Sequence, residues 1–312
     1  MRLLPAEKTI SLIILSLLAI DLSLLAAKSV QVDAGGYLAL VAIASSLIVA
    51  GQYYRFYRPS EEGIALATTG AGLFTLFTIA GSVFNYMLLP LPFARIDETL
   101  VSIDRWLGYD WVALVHWIAG YPLFGEVLRY VYASSLPQLI VLVLLLGFTR
   151  QEQQLHRFLL TGLIGALICI FVWSILPSTG ASGSRGATDA LNSGFHILVG
   201  PQYNAEVNRA ISESVTRISP TETLGLIGFP SFHTVMACMS VYFVPRYKML
   251  LAAFVLINAL MIPAVLIHSG HHLMDVIGGF AVFGIAAALA RKAVSQAHQL
   301  RGNPGVPAPQ WS

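Results

Sequence analysis

The stretch HSGHHLMD, residues 268–275, carries three histidines and a carboxylate within about two helical turns of an otherwise apolar sequence. On a helix, residues four positions apart share a face, so His271 and Asp275 can be in contact while His272 points elsewhere. The carboxylate can accept the proton on one imidazole nitrogen and leave a lone pair on the other nitrogen. This arrangement predicts that His271 is a nucleophile or a metal ligand.

A second polar element, GFPSFHTVMA at 228–237, begins another apolar segment and places His233 in its first turn. Pro230 and Ser231 fit the start of a helix, with Ser231 as an N-cap beside free backbone N–H groups. The N-terminus of a helix attracts a phosphate through these donors and through the helix dipole. The sequence therefore predicts that Ser231 and the amides beside it bind a phosphate close to His233.

The elements that must position these residues are membrane helices. The chain has 312 residues, of which 56% are hydrophobic and 11% charged, and its mean hydropathy is +0.72, outside the range of soluble domains. A spanning helix needs about 20 mostly apolar residues. The sequence predicts eight such spans, at 9–27, 37–54, 64–90, 127–148, 157–176, 229–245, 249–267 and 271–290. We therefore predict an all-α, polytopic membrane helix bundle. A net charge of +2 argues against a nucleic-acid partner.

The basic residues predict the orientation of the bundle, because Lys and Arg in short loops stay on the cytoplasmic side. With the N-terminus inside, eleven of the 18 basic residues fall in inner segments, and Lys28 stands alone in a short outer loop. Both termini are thus predicted to be cytoplasmic. We expect a multi-pass protein of an inner membrane or endomembrane, with a bacterial inner membrane preferred. His233 and the His271–Asp275 pair then lie at the same depth on the external, periplasmic face and can face each other.

Two long connections, 91–126 and 177–228, are predicted on the same face. The first contains apolar residues at intervals of three and four, which predict a helix in the membrane interface: Phe93, Ile96, Leu100, Ile103 and Leu107. The second is too long to be a simple connector. We expect it to cover or build the site.

These motifs resemble those of a known family. PSFH at 230–233 and, 38 residues after its histidine, His271 with HLMD resemble the second and third signatures, PSGH and SRxxxxxHxxxD, of the type 2 phosphatidic acid phosphatase superfamily. FPSFH, HHLMDVIGG and LPSTGA at 176–181 are closer to the branch of inositol phosphorylceramide synthase, an inositolphosphotransferase, and its bacterial relatives. The resemblance implies a six-helix catalytic domain at 64–292, two additional helices at 1–63 and a flexible cytoplasmic tail at 293–312.

The resemblance also implies roles for the polar residues. His271 would attack phosphorus and become a phosphohistidine, Asp275 would orient it, and His233 would protonate the departing alkoxide. Ser231 would hold phosphate oxygens, and neither a metal nor another cofactor is expected. The partners implied are a lipid phosphate substrate and membrane lipids.

Two basic elements of the family are missing. Val265 occupies the position of the Arg that lies six residues before the family's histidine, and KxxxxxxRP has no match. The transition state of phosphoryl transfer spreads negative charge over three oxygens and needs cationic or N–H donors. Arg185, in GASGSRGATD, and His272 are the candidates for this phosphate-binding role.

Alternative functions stay open from the sequence. Water would resolve the phosphohistidine in a phosphatase of phosphatidic acid or an isoprenoid (pyro)phosphate, whereas a hydroxyl acceptor would do so in a head-group phosphotransferase, which the resemblance favours. The side chains of His233, Asp275 and the three histidines at 268, 271 and 272 could instead form the zinc site of a membrane hydrolase. A proton-coupled transporter could also use intramembrane histidines, although no inverted repeat is visible.

Overall fold

The structure, a computed structural model, describes residues 3–183, 197–245 and 247–302. The α-helices in these ranges are α1 Pro5–Lys28, α2 Ala34–Tyr57, α3 Glu62–Met87, α4 Asp97–Trp106, α5 Trp111–Ala119, α6 Pro122–Ala133, α7 Ser135–Phe148, α8 Glu152–Ile175, α9 Pro201–Ser212, α10 Phe232–Phe243, α11 Lys248–His268 and α12 Leu273–Gly302. Short 3-10 turns lie at Pro59–Glu61 and Ala181–Gly183. Strand β1, Gln31–Val32, pairs in parallel with strand β2, Arg217–Ile218.

Six helices of the described ranges are long and apolar enough to cross a membrane: α1, α2, α3, α8, α11 and α12. They coincide with six of the eight predicted spans. The prediction of an all-α, polytopic membrane bundle is therefore confirmed.

The other two predicted spans differ from the structure. The segment 127–148 is divided between α6 and α7, because Pro137 cannot donate a hydrogen bond to Ala133 and its ring clashes with that carbonyl. The segment 229–245 contains only the 12 residues of α10, which extend about 18 Å and fall short of a bilayer core of about 30 Å. Helices α5 and α6 meet at a bend of 117°, and together they are long and apolar enough to form one broken span. By length and composition, the described part therefore has six spanning helices, or seven with that bent pair, instead of eight.

The main apolar core lies between α1, α3, α7, α8, α10 and α12. It brings the first turns of α10 and α12 to one end of the bundle, which we call the site end. Two glycines of the DVIGG stretch allow this approach, since a Cβ at Gly279 would lie 2.6 Å from the backbone oxygen of Ser231 and a Cβ at Gly278 would lie 2.9 Å from the ring of Phe229. The backbone N–H of Ser231 donates to the carbonyl of Asp275 at 2.9 Å, so the two helix starts are directly bonded.

Both long connections fold over the site end. The first forms α4, where a helix is predicted, and its buried face includes Leu100 and Asp104. The second contributes α9 and β2, and the N–H of Val199 donates to the carbonyl of His268 at 2.9 Å. At the opposite end, α12 continues to Gly302, past residue 292, and residues 303–312 lie outside the described ranges.

The two additional helices are held to the core at both ends. At the site end, the Nζ of Lys28 donates to the carbonyls of Met87 and Leu89, each at 2.6 Å. At the far end, Glu7 of α1 is 2% exposed and accepts two hydrogen bonds of 2.7 Å from Arg55 of α2. His156 of α8 lies 3.6 Å from the same carboxylate. A buried ion pair therefore joins α1 to α2, and its carboxylate contacts the core at His156.

Replacing Glu7 by Gln should lower the stability of the protein by about 3–5 kcal/mol, because removing one partner of a buried ion pair leaves the other charge without its main compensation. Thermal unfolding in detergent measures the effect. The matched control is Glu126→Gln, which breaks an exposed pair with Arg129 at 2.9 Å and should cost at most about 1 kcal/mol. Equal melting temperatures for the two variants would contradict this account of Glu7.

Candidate active site

The centre of the site is a buried pair, His271 and Asp275. The Nδ1 of His271 donates to the Oδ2 of Asp275 at 2.8 Å, and the same oxygen accepts the backbone N–H of His272 at 2.9 Å. Because a carboxylate only accepts, a neutral His271 carries its proton on Nδ1 and keeps a lone pair on Nε2. The pair has the predicted contact, although His271 precedes the first residue of α12.

A glycine turn between α11 and α12 places His271. Gly270 has a φ of +62°, the left-handed region that glycine adopts without steric cost, and a Cβ there would collide with the side chain of Ser182. The N–H of Ser182 donates to the carbonyl of Gly270 at 3.3 Å. The loop that follows α8 therefore packs directly on the turn that carries His271.

The start of α10 lies opposite this pair. Ser231 is the N-cap, and its Oγ accepts the N–H of Thr234 at 3.3 Å and lies 3.4 Å from the Nε2 of His271. The N–H groups of Phe232 and His233, the first two helical residues, have no intrahelical partner. They lie at the positive end of the helix dipole, where an anion is stabilised.

His233 and His271 line the same cavity, which has a volume of about 170 Å³. The ring of His233 stacks on Tyr132 of α6, with 4.5 Å between ring centroids and 26° between ring planes. The hydroxyl of Tyr132 donates to the Oγ of Ser269 at 3.2 Å. These contacts hold the His233 ring at the cavity wall, and further polar lining comes from Thr179, Gly180, Tyr203 and Asn204.

A second cavity of about 340 Å³ lies deeper in the bundle and has a mostly apolar lining from α3, α7, α8 and α10. On α3 the lining extends from Leu73 to Asn85, twelve positions or about 18 Å along the helix axis. The two cavities share four lining residues, Asn85, Gly225, Ile227 and Phe232. The polar cavity with the two histidines therefore adjoins an elongated apolar one.

His272 lies behind the pair. It is fully buried and is absent from the described lining of the polar cavity. Its Nδ1 donates to the Oδ2 of Asp104 at 2.7 Å, and its Nε2 lies 3.7 Å from the Oδ1 of Asp97. Burial alone would lower the pKa of His272, but the contacts with Asp104 and then Asp97 outweigh burial and raise it to about 9. His272 is therefore an imidazolium ion at neutral pH.

The structure thus brings His233, His271, Asp275 and Ser231 together, with His272 adjacent but directed toward α4. Arg185 lies outside the described residues, so its predicted phosphate contact stays a prediction. The Nε2 of His268 lies 3.0 Å from the carbonyl of Gly125, and the three histidines of 268–272 therefore contact different partners. Within the described ranges, no group of three or more His, Cys, Asp and Glu side chains could hold a metal ion.

Sequence reasoning missed three residues of this site: Asp97, Asp104 and Tyr132. None of them belongs to a motif, and the side chain of each contacts residues 81 or more positions away in the sequence. One signal was present for Asp104, because it follows Leu100 by four positions and therefore interrupts the apolar face of the helix that the sequence predicts there.

Fold and site together define a class: a polytopic helical membrane protein in which a His–Asp pair and a second histidine line one polar cavity. The family model described as PAP2 superfamily matches residues 98–289, well over half of the chain. The chain therefore belongs to the PAP2 superfamily, whose members are phosphatases or phosphotransferases. Searches among curated proteins and among solved structures gave no match.

The charge of His272 predicts a pH-dependent contribution to stability. Because its pKa is about 9 in the folded protein and ordinarily 6.5, the folded state holds this proton more tightly. The stabilisation that the charged His272 gives the folded protein is fully present below pH 6.5 and is lost as the pH rises through about 9. The difference in melting temperature between the natural protein and His272→Gln should therefore shrink over this interval. A difference that does not change with pH would contradict the assignment.

Proposed function

We propose that the protein is a membrane lipid-phosphate phosphatase or phosphotransferase that works through a phosphohistidine on His271. The observation that carries the proposal is the buried His271–Asp275 hydrogen bond of 2.8 Å, with both His271 and His233 at the wall of one polar cavity. Membership of the PAP2 superfamily supports the same reaction class. A nucleophile oriented by a carboxylate and facing a second acid–base group is the arrangement that covalent catalysis requires.

In the first step, the Nε2 of His271 attacks phosphorus, a P–N bond forms and the bond from phosphorus to the leaving oxygen breaks. The leaving oxygen keeps the electron pair and takes a proton from His233. Burial and then the neighbouring His271 lower the pKa of His233 to about 3 in the free protein, so His233 has to take up this proton as the negatively charged phosphate binds beside it. Asp275 stabilises the positive charge that develops on His271. In the second step, His233 accepts a proton from water or from an alcohol, whose oxygen attacks phosphorus and releases His271.

The negative charge on the phosphoryl oxygens needs hydrogen-bond donors, and the amides at the start of α10 supply some of them. We propose Arg185 as the cation that accompanies them, with Ser231 holding a phosphate oxygen. Ser182 is bonded to the turn of His271, and Arg185 follows it by three positions, a stretch that spans at most about 11 Å. An Arg within this reach could replace the family Arg whose position Val265 occupies.

The neighbouring cavities support an amphiphilic substrate. A phosphate group would lie in the polar cavity between His233 and His271, while a hydrocarbon chain would extend into the apolar cavity along α3 and α8. Burial of a chain contributes about 0.8 kcal/mol per methylene group. We therefore propose a lipid phosphate as substrate, with the site on the external face and both termini cytoplasmic, as the basic residues predict.

For the second step, we propose transfer to a hydroxyl acceptor in preference to hydrolysis. The motifs FPSFH and HHLMDVIGG favour the branch of inositol phosphorylceramide synthase over the wider superfamily. The polar lining of the cavity beside His233 provides hydrogen-bonding groups for an alcohol. Hydrolysis is the second candidate, because water could occupy the same position as the attacking hydroxyl.

The test of the reaction uses detergent-solubilised protein with a panel of phospholipids and isoprenoid phosphates, with and without inositol or diacylglycerol as acceptor. His271→Ala should abolish turnover of every substrate, since no phosphohistidine can form. His233→Ala should lower kcat about 100- to 10,000-fold. For an ester with an activated leaving group, the same substitution should lower kcat much less, because that leaving group departs without being protonated.

The products distinguish the two candidates. Transfer predicts a phosphorylated acceptor, whereas free phosphate as the sole product with every acceptor would establish hydrolysis. Turnover that survives in His271→Ala would overturn the mechanism itself.

Filling the apolar cavity tests the lipid chain. Gly81 lines this cavity, and a Cβ there would meet only the ring of Phe77, at an ordinary 3.5 Å, so Gly81→Leu can place its side chain in the cavity. We expect kcat/KM for long-chain lipid phosphates to fall about tenfold or more. For a short soluble ester such as p-nitrophenyl phosphate, kcat/KM should fall much less, because this substrate has no hydrocarbon chain that the leucine would displace.

The matched control is Gly284→Leu. Gly284 is an exposed residue of α12 with no atoms within 4 Å of an added Cβ, so the same substitution there leaves the cavity unchanged. Equal losses for long-chain and soluble substrates in Gly81→Leu would refute the chain-binding assignment and would leave the reaction at His271 untouched.

A further inference from the structure

Helix α4 carries an acidic side chain that reaches the polar groups behind His271. Asp104 is buried, and its Oδ2 accepts from the Nδ1 of His272 at 2.7 Å. Its Oδ1 accepts the N–H of Leu273 at 3.1 Å. Leu273 is the first residue of α12, where a backbone N–H has no intrahelical partner. Asp104 therefore binds both the residue that follows His271 and the first turn of the helix that carries Asp275.

A second carboxylate of α4 holds the opposite wall of the cavity. The Oδ1 of Asp97 accepts from the Oγ of Ser178 and the N–H of Thr179, both at 2.9 Å, and from the N–H of Gly180 at 3.2 Å. Thr179 and Gly180 line the polar cavity. Gly180 has a φ of +87°, and a Cβ there would lie 2.5 Å from the carbonyl oxygen of Gly270. Asp97 thus orders this loop against the turn that precedes His271.

His272 connects these two carboxylates. Its imidazole lies between Asp104 and Asp97, and its own N–H donates to Asp275. Burial alone would raise the pKa of Asp97, but the contact with His272 and the N–H of Thr179 outweigh burial and hold that pKa below its usual range. Two carboxylates near a phosphate site, Asp104 buried and Asp97 partly buried, would repel the substrate, and the imidazolium charge of His272 offsets part of this field.

We propose that Asp97 and Asp104, with His272 as the cation between them, form a clamp by which α4 positions the His271–Asp275 pair against the loop 178–180. The inference rests on the proposed function, because it concerns the geometry of that reaction. The three clamp residues are positioning residues: each acts through hydrogen bonds to the groups that border the cavity. Asp97 and Asp104 lie outside the signatures at 230–233 and 271–275, whereas His272 lies within the second of them.

Asp104→Asn tests the clamp with little change in shape. The amide cannot match the charge-assisted hydrogen bond to His272, and misplacement of a reacting group by about 1 Å can cost on the order of 100-fold in rate. We expect kcat to fall by about that factor, with KM changed only a few-fold. Glu98→Gln is the matched control, since Glu98 is an exposed residue of the same helix and the chemical change is the same; its kcat should stay at the natural value.

A double-mutant cycle separates a clamp from a general loss of structure. If Asp104 acts through His272, adding the second substitution should cause no further loss. The kcat of the combined variant, Asp104→Asn with His272→Gln, should then equal that of the less active single variant. Losses that multiply in the combined variant would overturn the clamp. Asp104→Glu, which restores the charge, should recover part of the activity that Asp104→Asn loses.

The charge on His272 gives a readout that does not depend on turnover. In ¹⁵N-histidine NMR, with the signal assigned by His272→Gln, the imidazolium of the natural protein should persist to about pH 9 and should lose its proton at lower pH in Asp104→Asn. An unshifted titration in Asp104→Asn would refute the clamp even if no substrate were found. If Asp104→Asn is as active as the natural protein, the clamp is refuted and the proposed function is not. If His271→Ala is active, the proposed function is refuted.

Discussion

The hydrogen bond between His271 and Asp275 is the contact on which the rest of the site depends. Both side chains are almost inaccessible to solvent, and an ionisable group buried at this depth is costly unless it has partners. The Oδ2 of Asp275 meets this requirement by accepting from both the imidazole of His271 and the N–H of His272. One consequence is that the start of α12 must be held in a single position, and the bond from Ser231 to the carbonyl of Asp275 extends this constraint to α10.

The same requirement explains why polar residues accumulate around the pair. Both carboxylates of α4 compensate an orphan backbone donor and the charge on His272, because a polar group without partners is costly in a low-dielectric interior. The result is a connected polar network between α4, the loop after α8 and the start of α12. Its components come from segments that are far apart in the chain, so the network also ties the long connections to the bundle.

The short and broken helices follow from the same physics. A spanning segment must satisfy its backbone groups internally, and non-helical backbone at membrane depth is tolerated where it lines a cavity or is buried in protein. Helix α10 begins at the site end because its first amides face the polar cavity, and the glycine turn before His271 is packed against Ser182. The departure from eight uniform spans is therefore concentrated in the part of the bundle that builds the site.

The sequence by itself determined the all-α membrane class, six of the spanning helices, a helix in the first connection and the superfamily. These features depend on local properties: hydrophobic length, helical periodicity and short motifs with a fixed spacing, as between His271 and Asp275. Tertiary structure alone decided that His272 turns away from the cavity toward Asp104, that Tyr132 stacks on His233, and that an apolar cavity adjoins the polar one. These contacts join residues more than a hundred positions apart, and their existence depends on how whole helices pack, which no local pattern encodes.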